Sequence, residues 1–305
     1  MEQKDQKIRR RRQTLPDLLI SLFTLSALAA CGSRTGLVIP TDGGAFPSGP
    51  DECPNSGSTF VYVISEQNEL LSFYPPTASF TSIGVLTCPV ADPNDSPFSM
   101  AVDRRGVAYV LFASGTLFRV STRTGACETT PFVPGAGGFP TVFGMGYASD
   151  PTGNGETLYV AGNPMDPANP NTPLPSTLGS LDTTAFAVTP IATFSPPTLQ
   201  PELTGTGAGK LYGFYATTMV DSAIAEIDVT TARLISTVGL PGVTQGVAWA
   251  FGFWGGDFYT FTAPGGPMSS SVVTRYRPAD GSITQVAMAP GTIVGAGVST
   301  CAPQM

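Results

Sequence analysis

The chain has 305 residues, 42% of them hydrophobic and 12% charged, with 15 basic side chains, 22 acidic ones and no histidine. The lack of histidine excludes Ser-His-Asp and Cys-His catalysis and any His-ligated zinc, copper, non-haem iron or haem. A net charge of −7 argues against nucleic acid or anionic headgroups as partners, because phosphate binding needs clustered lysine and arginine.

Residues 1–30 read as an export signal. A basic start (Lys4, Lys7, Arg9 to Arg12) precedes an apolar run from Leu18 to Leu28 that is too short to cross a bilayer comfortably. Leu28-Ala29-Ala30-Cys31-Gly32 resembles a bacterial lipobox. That resemblance implies cleavage before Cys31, lipidation of Cys31 on its thiol and then its amine, and attachment to the cell envelope. Gly32 supplies no aspartate retention signal, so in a cell with an outer membrane the resemblance points there, periplasmic or surface side left open. Cleavage would remove six basic and three acidic residues and leave a net charge of −10, so the lipid and not the protein surface would hold the membrane.

Residues 31–54 are rich in Gly, Pro, Ser and Thr without apolar periodicity and read as a tether. From residue 55 to 305 the chain repeats itself. Tyr62, Tyr109, Tyr159, Tyr212 and Tyr259 each sit in a short apolar run, at spacings of 47, 50, 53 and 47 residues. After each tyrosine comes a strand, a Thr or Gly turn and another strand; the clearest copy of the unit runs from Gly106 to Gly125. Before four of them lies one more apolar run, at Ser99–Val102, Val142–Met145, Leu203–Gly205 and Gly246–Trp249. The first copy lacks this run, and Ile293–Val298 supplies it from the far end of the chain.

Four strands per unit and a last strand that completes the first describe an all-β protein, a β-propeller of five four-stranded blades closed by pairing the two chain ends. The 249 residues from Cys53 to Cys301 fit five units better than six. The tyrosine runs, Ala101–Val110 (AVDRRGVAYV) and the Thr-Gly turns resemble NHL-type and quinoprotein-like propellers, a likeness of architecture that carries no chemistry with it. Tyrosines at this spacing are expected to pack between blades.

Besides Cys31 there are four cysteines, an even number that favours disulfides in an exported chain. Closure brings Cys53 before the first strand to Cys301 after the last, leaving Cys88 with Cys127 near the outer ends of blades one and two. No Cys-x-x-Cys pair is present, so no metal site is expected from them.

Function in a propeller sits in its loops. The turns between second and third strands and the connections between blades share one face, which holds Asp92, Asn94, Asp95, Glu202, Gln245 and the inserted stretch Asn163–Thr177. Asp92, Asn94 and Asp95 offer oxygens to calcium, yet a Pro-Asn-Asp-Ser turn explains them equally. Asp150–Glu156 begins like a calcium loop, but Ala161 stands where the closing glutamate belongs. Asp103 is expected to shape a turn, and Trp254 to lie in the turn before Gly255-Gly256, exposed to a sugar or folded over its hairpin. No catalytic residue, metal ligand or cofactor site is assigned. These features describe a lipid-anchored, monomeric binding module for a protein or glycan outside the cytoplasm. The alternative is a carboxylate-based hydrolase or calcium-dependent lactonase on the same scaffold.

Overall fold

A computed structural model describes Cys53 and residues 59–305, apart from residues 152–154, 167 and 267. The chain divides into Met1–Thr41 and Asp42–Met305, and every described residue belongs to the second unit. The expected signal segment, Cys31 and nearly all of the tether lie outside the described residues.

Twenty of the 22 strands form five antiparallel sheets of four. Blade one contains β1 (Val61–Ser65), β2 (Glu69–Tyr74) and β3 (Ser79–Val85). Blade two is β4 (Pro97–Val102), β5 (Val107–Phe112), β6 (Leu117–Ser121) and β7 (Cys127–Thr129). Blade three uses β8 (Gly144–Ser149) and β9 (Glu156–Gly162), is interrupted by the small hairpin β10 (Met165–Asp166) and β11 (Asn169–Pro173), and resumes with β12 (Thr177–Asp182) and β13 (Ala187–Thr193). Blade four is β14 (Glu202–Gly205), β15 (Leu211–Ala216), β16 (Ser222–Ile227) and β17 (Leu234–Leu240). Blade five is β18 (Trp249–Trp254), β19 (Asp257–Thr262), β20 (Val272–Arg277) and β21 (Ser282–Met288), after which β22 (Ile293–Val298) pairs with β1 and completes blade one. The fold is therefore a five-bladed β-propeller closed by its two ends.

Burial follows radius. Strand β5 is buried at all six positions because neighbouring blades cover both of its faces, whereas the outer strands β3, β13 and β21 alternate between half-buried and exposed. Five apolar clusters lie between successive blades, and each contains one tyrosine of the repeat: Tyr62, Tyr109, Tyr159, Tyr212 and Tyr259. Tyr259 of blade five meets Phe73 of blade one with ring centres 5.7 Å apart, so aromatic packing runs across the closure. The inner strands approach backbone to backbone: a Cβ on Gly146 of β8 would lie 2.7 Å from the carbonyl carbon of Leu203 on β14. Only glycine tolerates that approach.

Both disulfides form as expected. Cys53 and Cys301 bridge with Cα atoms 5.2 Å apart across 248 positions of sequence, and Cys88 joins Cys127 with Cα atoms 5.1 Å apart. One expectation needs correcting. Strand β18 runs from Trp249 to Trp254, so Phe253 and Trp254 belong to the strand and not to the following turn; Gly255 and Gly256, both with positive φ, make the whole turn. The indole N–H of Trp254 donates to the Thr59 carbonyl at 3.0 Å and its ring meets Tyr74, which fixes this tryptophan at the junction of blades five and one.

Candidate functional site

The turns between second and third strands and the connections between blades open on one face, as the repeat requires. Strand β14 begins there with Glu202, paired with Phe214 of β15 and packed beside β8 of the preceding blade, and its side chain is buried at the top of the ring. Ser99 Oγ, from β4 two blades away, donates to Glu202 Oε2 at 2.9 Å, and the backbone N–H of Met145 on β8 also donates to the carboxyl. Burial nonetheless dominates and pushes the Glu202 carboxyl well above the usual carboxylate range. Beside it is a cavity of about 150 Å³ lined by Pro97, Phe98, Gln200, Glu202, Val247, Ala248, Trp249 and Val294. Glu202 is the one titratable side chain in that lining.

A groove of about 470 Å³ adjoins the cavity and shares Gln200 with it. Phe139, Pro140 and Val142 from the connection into blade three form one wall; Asn163, Pro164, Met165 and Pro173 of the inserted hairpin form another, with Leu199 beside Gln200. The insertion is latched by its first residue. Asn163 Oδ1 accepts the Gln200 N–H at 2.7 Å and the Ser176 hydroxyl at 3.1 Å, while Asn163 Nδ2 donates to the Leu174 carbonyl at 2.7 Å. Gln200 itself is held at φ +43°, in the left-handed region that non-glycine residues avoid. Backbone strain of this kind persists only where surrounding bonds overdetermine it, here at the junction of the two concavities.

The wider face is uneven in composition. Ten exposed large apolar side chains lie in its loops or at the strand ends that open onto it, among them Leu199, Met219, Val220, Val247 and Met268. Four buried polar atoms without a partner gather there as well: Glu66 Oε2, Thr198 Oγ1, Gln245 Nε2 and Trp249 Nε1. Such orphans cost free energy unless something satisfies them. Glu66, Asp92, Asp95, Asp166, Glu202 and Asp221 lie on this face; no lysine or arginine of the described residues lies in its loops.

Of the residues expected on this face, Glu202 and Gln245 sit at the ring's mouth, whereas Asp92, Asn94 and Asp95 are occupied locally. Asp92 Oδ1 accepts from the backbone and side-chain nitrogens of Asn94, and Asp95 Oδ1 accepts the Ser114 N–H at 3.0 Å, capping the turn of blade two. Among the described residues no group of three or more His, Cys, Asp or Glu side chains converges as a metal site. Residues Phe98, Trp249 and Val294 carried no signal of their own, because a residue at the inner end of a strand reads as core until the ring is assembled.

The opposite face holds a buried polar cluster. Arg104 donates through its backbone N–H to Glu156 Oε1 at 2.7 Å, through Nε to Thr300 Oγ1 at 2.9 Å and through Nη2 to Ser149 Oγ at 2.6 Å; Thr300 Oγ1 donates to Glu156 Oε2 at 2.8 Å. Burial outweighs these bonds and raises the Glu156 carboxyl to about 7. A second cavity of about 370 Å³ contains both Glu156 and Asp182. Asp182 is a turn residue, however: its Oδ1 accepts the N–H groups of Thr184 and Ala185, as Asp228 and Asp280 do for the equivalent turns of blades four and five. Asp103 likewise shapes its turn by accepting the N–H groups of Arg105 and Val107.

No protein-family model matches the sequence, and no curated protein matches it. Among solved structures, the chain is similar to hydrazine synthase of Kuenenia stuttgartiensis at 14% identity, over 79% of this chain and 69% of that one, with a TM-score of 0.38. It is also similar to a chain of the mitotic checkpoint complex at 10% identity, over 74% of this chain and 62% of that one, again with a TM-score of 0.38.

Proposed function

We propose that the propeller is an interaction module, attached to the cell envelope through lipidated Cys31, whose loop-rich face docks a partner protein or glycan. One observation carries the reading: exposed apolar side chains and unpartnered buried polar atoms collect on the same face as two adjoining concavities. Scattered apolar exposure is ordinary, but its concentration beside orphaned donors and acceptors marks a surface that a partner completes. The carboxylate-hydrolase alternative finds less support. Glu202 has no second carboxyl in its cavity, and the Glu156–Asp182 pair is engaged in closure and turn formation.

Photo-crosslinking in intact cells tests this. A diazirine amino acid at Met219, 94% exposed, is expected to give a discrete adduct, whereas one at Arg123 on the opposite face is expected to give none. Equal labelling from both positions, or none from either, would remove the reading.

A further inference from the structure

We propose that the cavity at the ring's mouth seats a lysine side chain of a partner protein, with the ammonium on the Glu202 carboxylate and the methylenes between Phe98 and Trp249, while flanking apolar residues of the same segment occupy the adjoining groove. The inference rests on the docking role given above to this face. Size comes first: a cavity of about 150 Å³ is large enough for a six-membered hydrocarbon ring, so four methylenes and a nitrogen fit. Chemistry follows from the lining, which offers aliphatic and aromatic walls and a single carboxyl. Aromatic faces beside a carboxylate attract a desolvated cation. Burial raises the Glu202 carboxyl well above the usual carboxylate range, and a cation beside it favours the ionised form.

Lysine suits this carboxyl better than arginine. One Glu202 oxygen already accepts from Ser99, and the Met145 N–H takes up further capacity, so a two-pronged guanidinium contact is obstructed while the single point of an ammonium is not. Among the described residues the surrounding face has acidic loops and no basic ones, which draws a cationic segment toward it. A peptide also answers the remaining orphans. The unpartnered indole N–H of Trp249 in the cavity wall and the amide of Gln245 four residues earlier are donors that need acceptors, and peptide carbonyls supply them. The groove walls of Phe139, Pro140, Pro164, Pro173 and Leu199 provide the apolar half of the match.

Titration calorimetry of the full chain in detergent micelles, with the peptide acetyl-Leu-Pro-Lys-Leu-amide and its norleucine counterpart, provides the test. The lysine peptide is expected to bind saturably and about tenfold or more tighter than the norleucine peptide, the scale of a desolvated charge contact. Glu202→Gln should bring the lysine peptide down to the norleucine level and leave the latter unchanged. Because a buried substitution can disturb folding, Val247→Arg at the exposed rim is the second variant and should block the lysine peptide as well. No binding of the lysine peptide at millimolar concentration, equal affinity for the two peptides, or an unchanged lysine affinity in both variants overturns the proposal. Butylammonium chloride binding as tightly as the peptide overturns it in favour of a small amine. Cross-links from Met219 that persist in Glu202→Gln cells would leave the docking role standing and remove the lysine seat alone.

Discussion

Arg104 and Thr300 are 196 positions apart in sequence, yet the guanidinium Nε of one donates to the hydroxyl of the other at 2.9 Å. Thr300 precedes Cys301, so this bond and the Cys53–Cys301 bridge pin the same short segment beyond the closing strand β22. Glu156 and Ser149, both of blade three, complete the cluster around the guanidinium. Arg104→Met would leave two hydroxyls and a carboxyl buried with fewer partners. The expected loss is about 2 to 4 kcal/mol, toward the lower end for a broken buried ion pair because Glu156 can take up a proton. Arg105→Met, whose guanidinium is a third exposed, should cost less than about 1 kcal/mol. Urea unfolding of the two variants compares them directly.

Stability should rise as the solution is acidified from neutrality. Glu156 is raised to about 7 by burial, Glu202 is raised well above its usual range and Asp103 is raised too, so each favours its protonated form in the folded state more than in the unfolded chain. Their contribution is fully present below the unfolded-state values near 4 and is lost as pH climbs through the folded ones. For Glu156 alone the difference amounts to about 3 kcal/mol. At the acid end the sign reverses: Asp228, lowered to about 2 by the hydroxyl and N–H of Thr230, withdraws its contribution as pH falls through that value, and Asp182 and Asp280 act in the same direction. A thermal midpoint that is highest near pH 4 to 5 is therefore expected, with the slope between 5 and 8 reduced in Glu156→Gln. A midpoint that instead falls steadily from pH 7 to pH 5 would contradict the assignment.

The architecture was legible because a propeller writes its period into the chain. Five tyrosines at near-constant spacing, a first repeat short of one strand and a spare strand at the end leave few other ways to close the ring, and Cys53 with Cys301 followed from that closure. Strand boundaries were less legible. Blades three and five begin at Gly144 and Trp249, later than their apolar runs suggested, because Val142 and Val247 in the preceding connections serve as lining for the two concavities. The site was legible only in part. Glu202 and Gln245 stood out as polar residues beside an inner strand, but the latch from Asn163 to Gln200 joins loops 37 positions apart through a side chain, and no local pattern announces such a bond.

The two disulfides should contribute unequally. Chain-entropy reasoning assigns more to the cross-link that closes the longer loop, and the separations are 248 and 39 positions. Replacing Cys53 and Cys301 by serine should cost roughly 1.5 kcal/mol more than replacing Cys88 and Cys127. Guanidinium unfolding of the two double variants measures the difference. Equal losses would indicate that β1 and β22 already close the unfolded ensemble's largest loop before the bridge constrains it.

Asn163→Ala separates the groove from the cavity. The substitution removes an acceptor for the Gln200 N–H and the Ser176 hydroxyl, and a donor to the Leu174 carbonyl, so the inserted hairpin loses its attachment to the connection leading into blade four. Three partly exposed bonds of this kind should cost about 1 to 2 kcal/mol in global stability, modest because water can replace them. The local effect should be larger: proteolysis within residues 163–177 is expected to accelerate while the rest of the propeller stays protected, since opening the hairpin need not open a blade. Gln200, freed from the bond that holds its left-handed backbone, is then expected to relax, and the groove wall it shares with the cavity moves with it. Hydrogen exchange on the variant should accordingly show faster exchange at residues 163–176 and 199–200 together. Faster exchange in the hairpin alone, with Gln200 unchanged, would mean that the connection is held by Ser176 and not by Asn163.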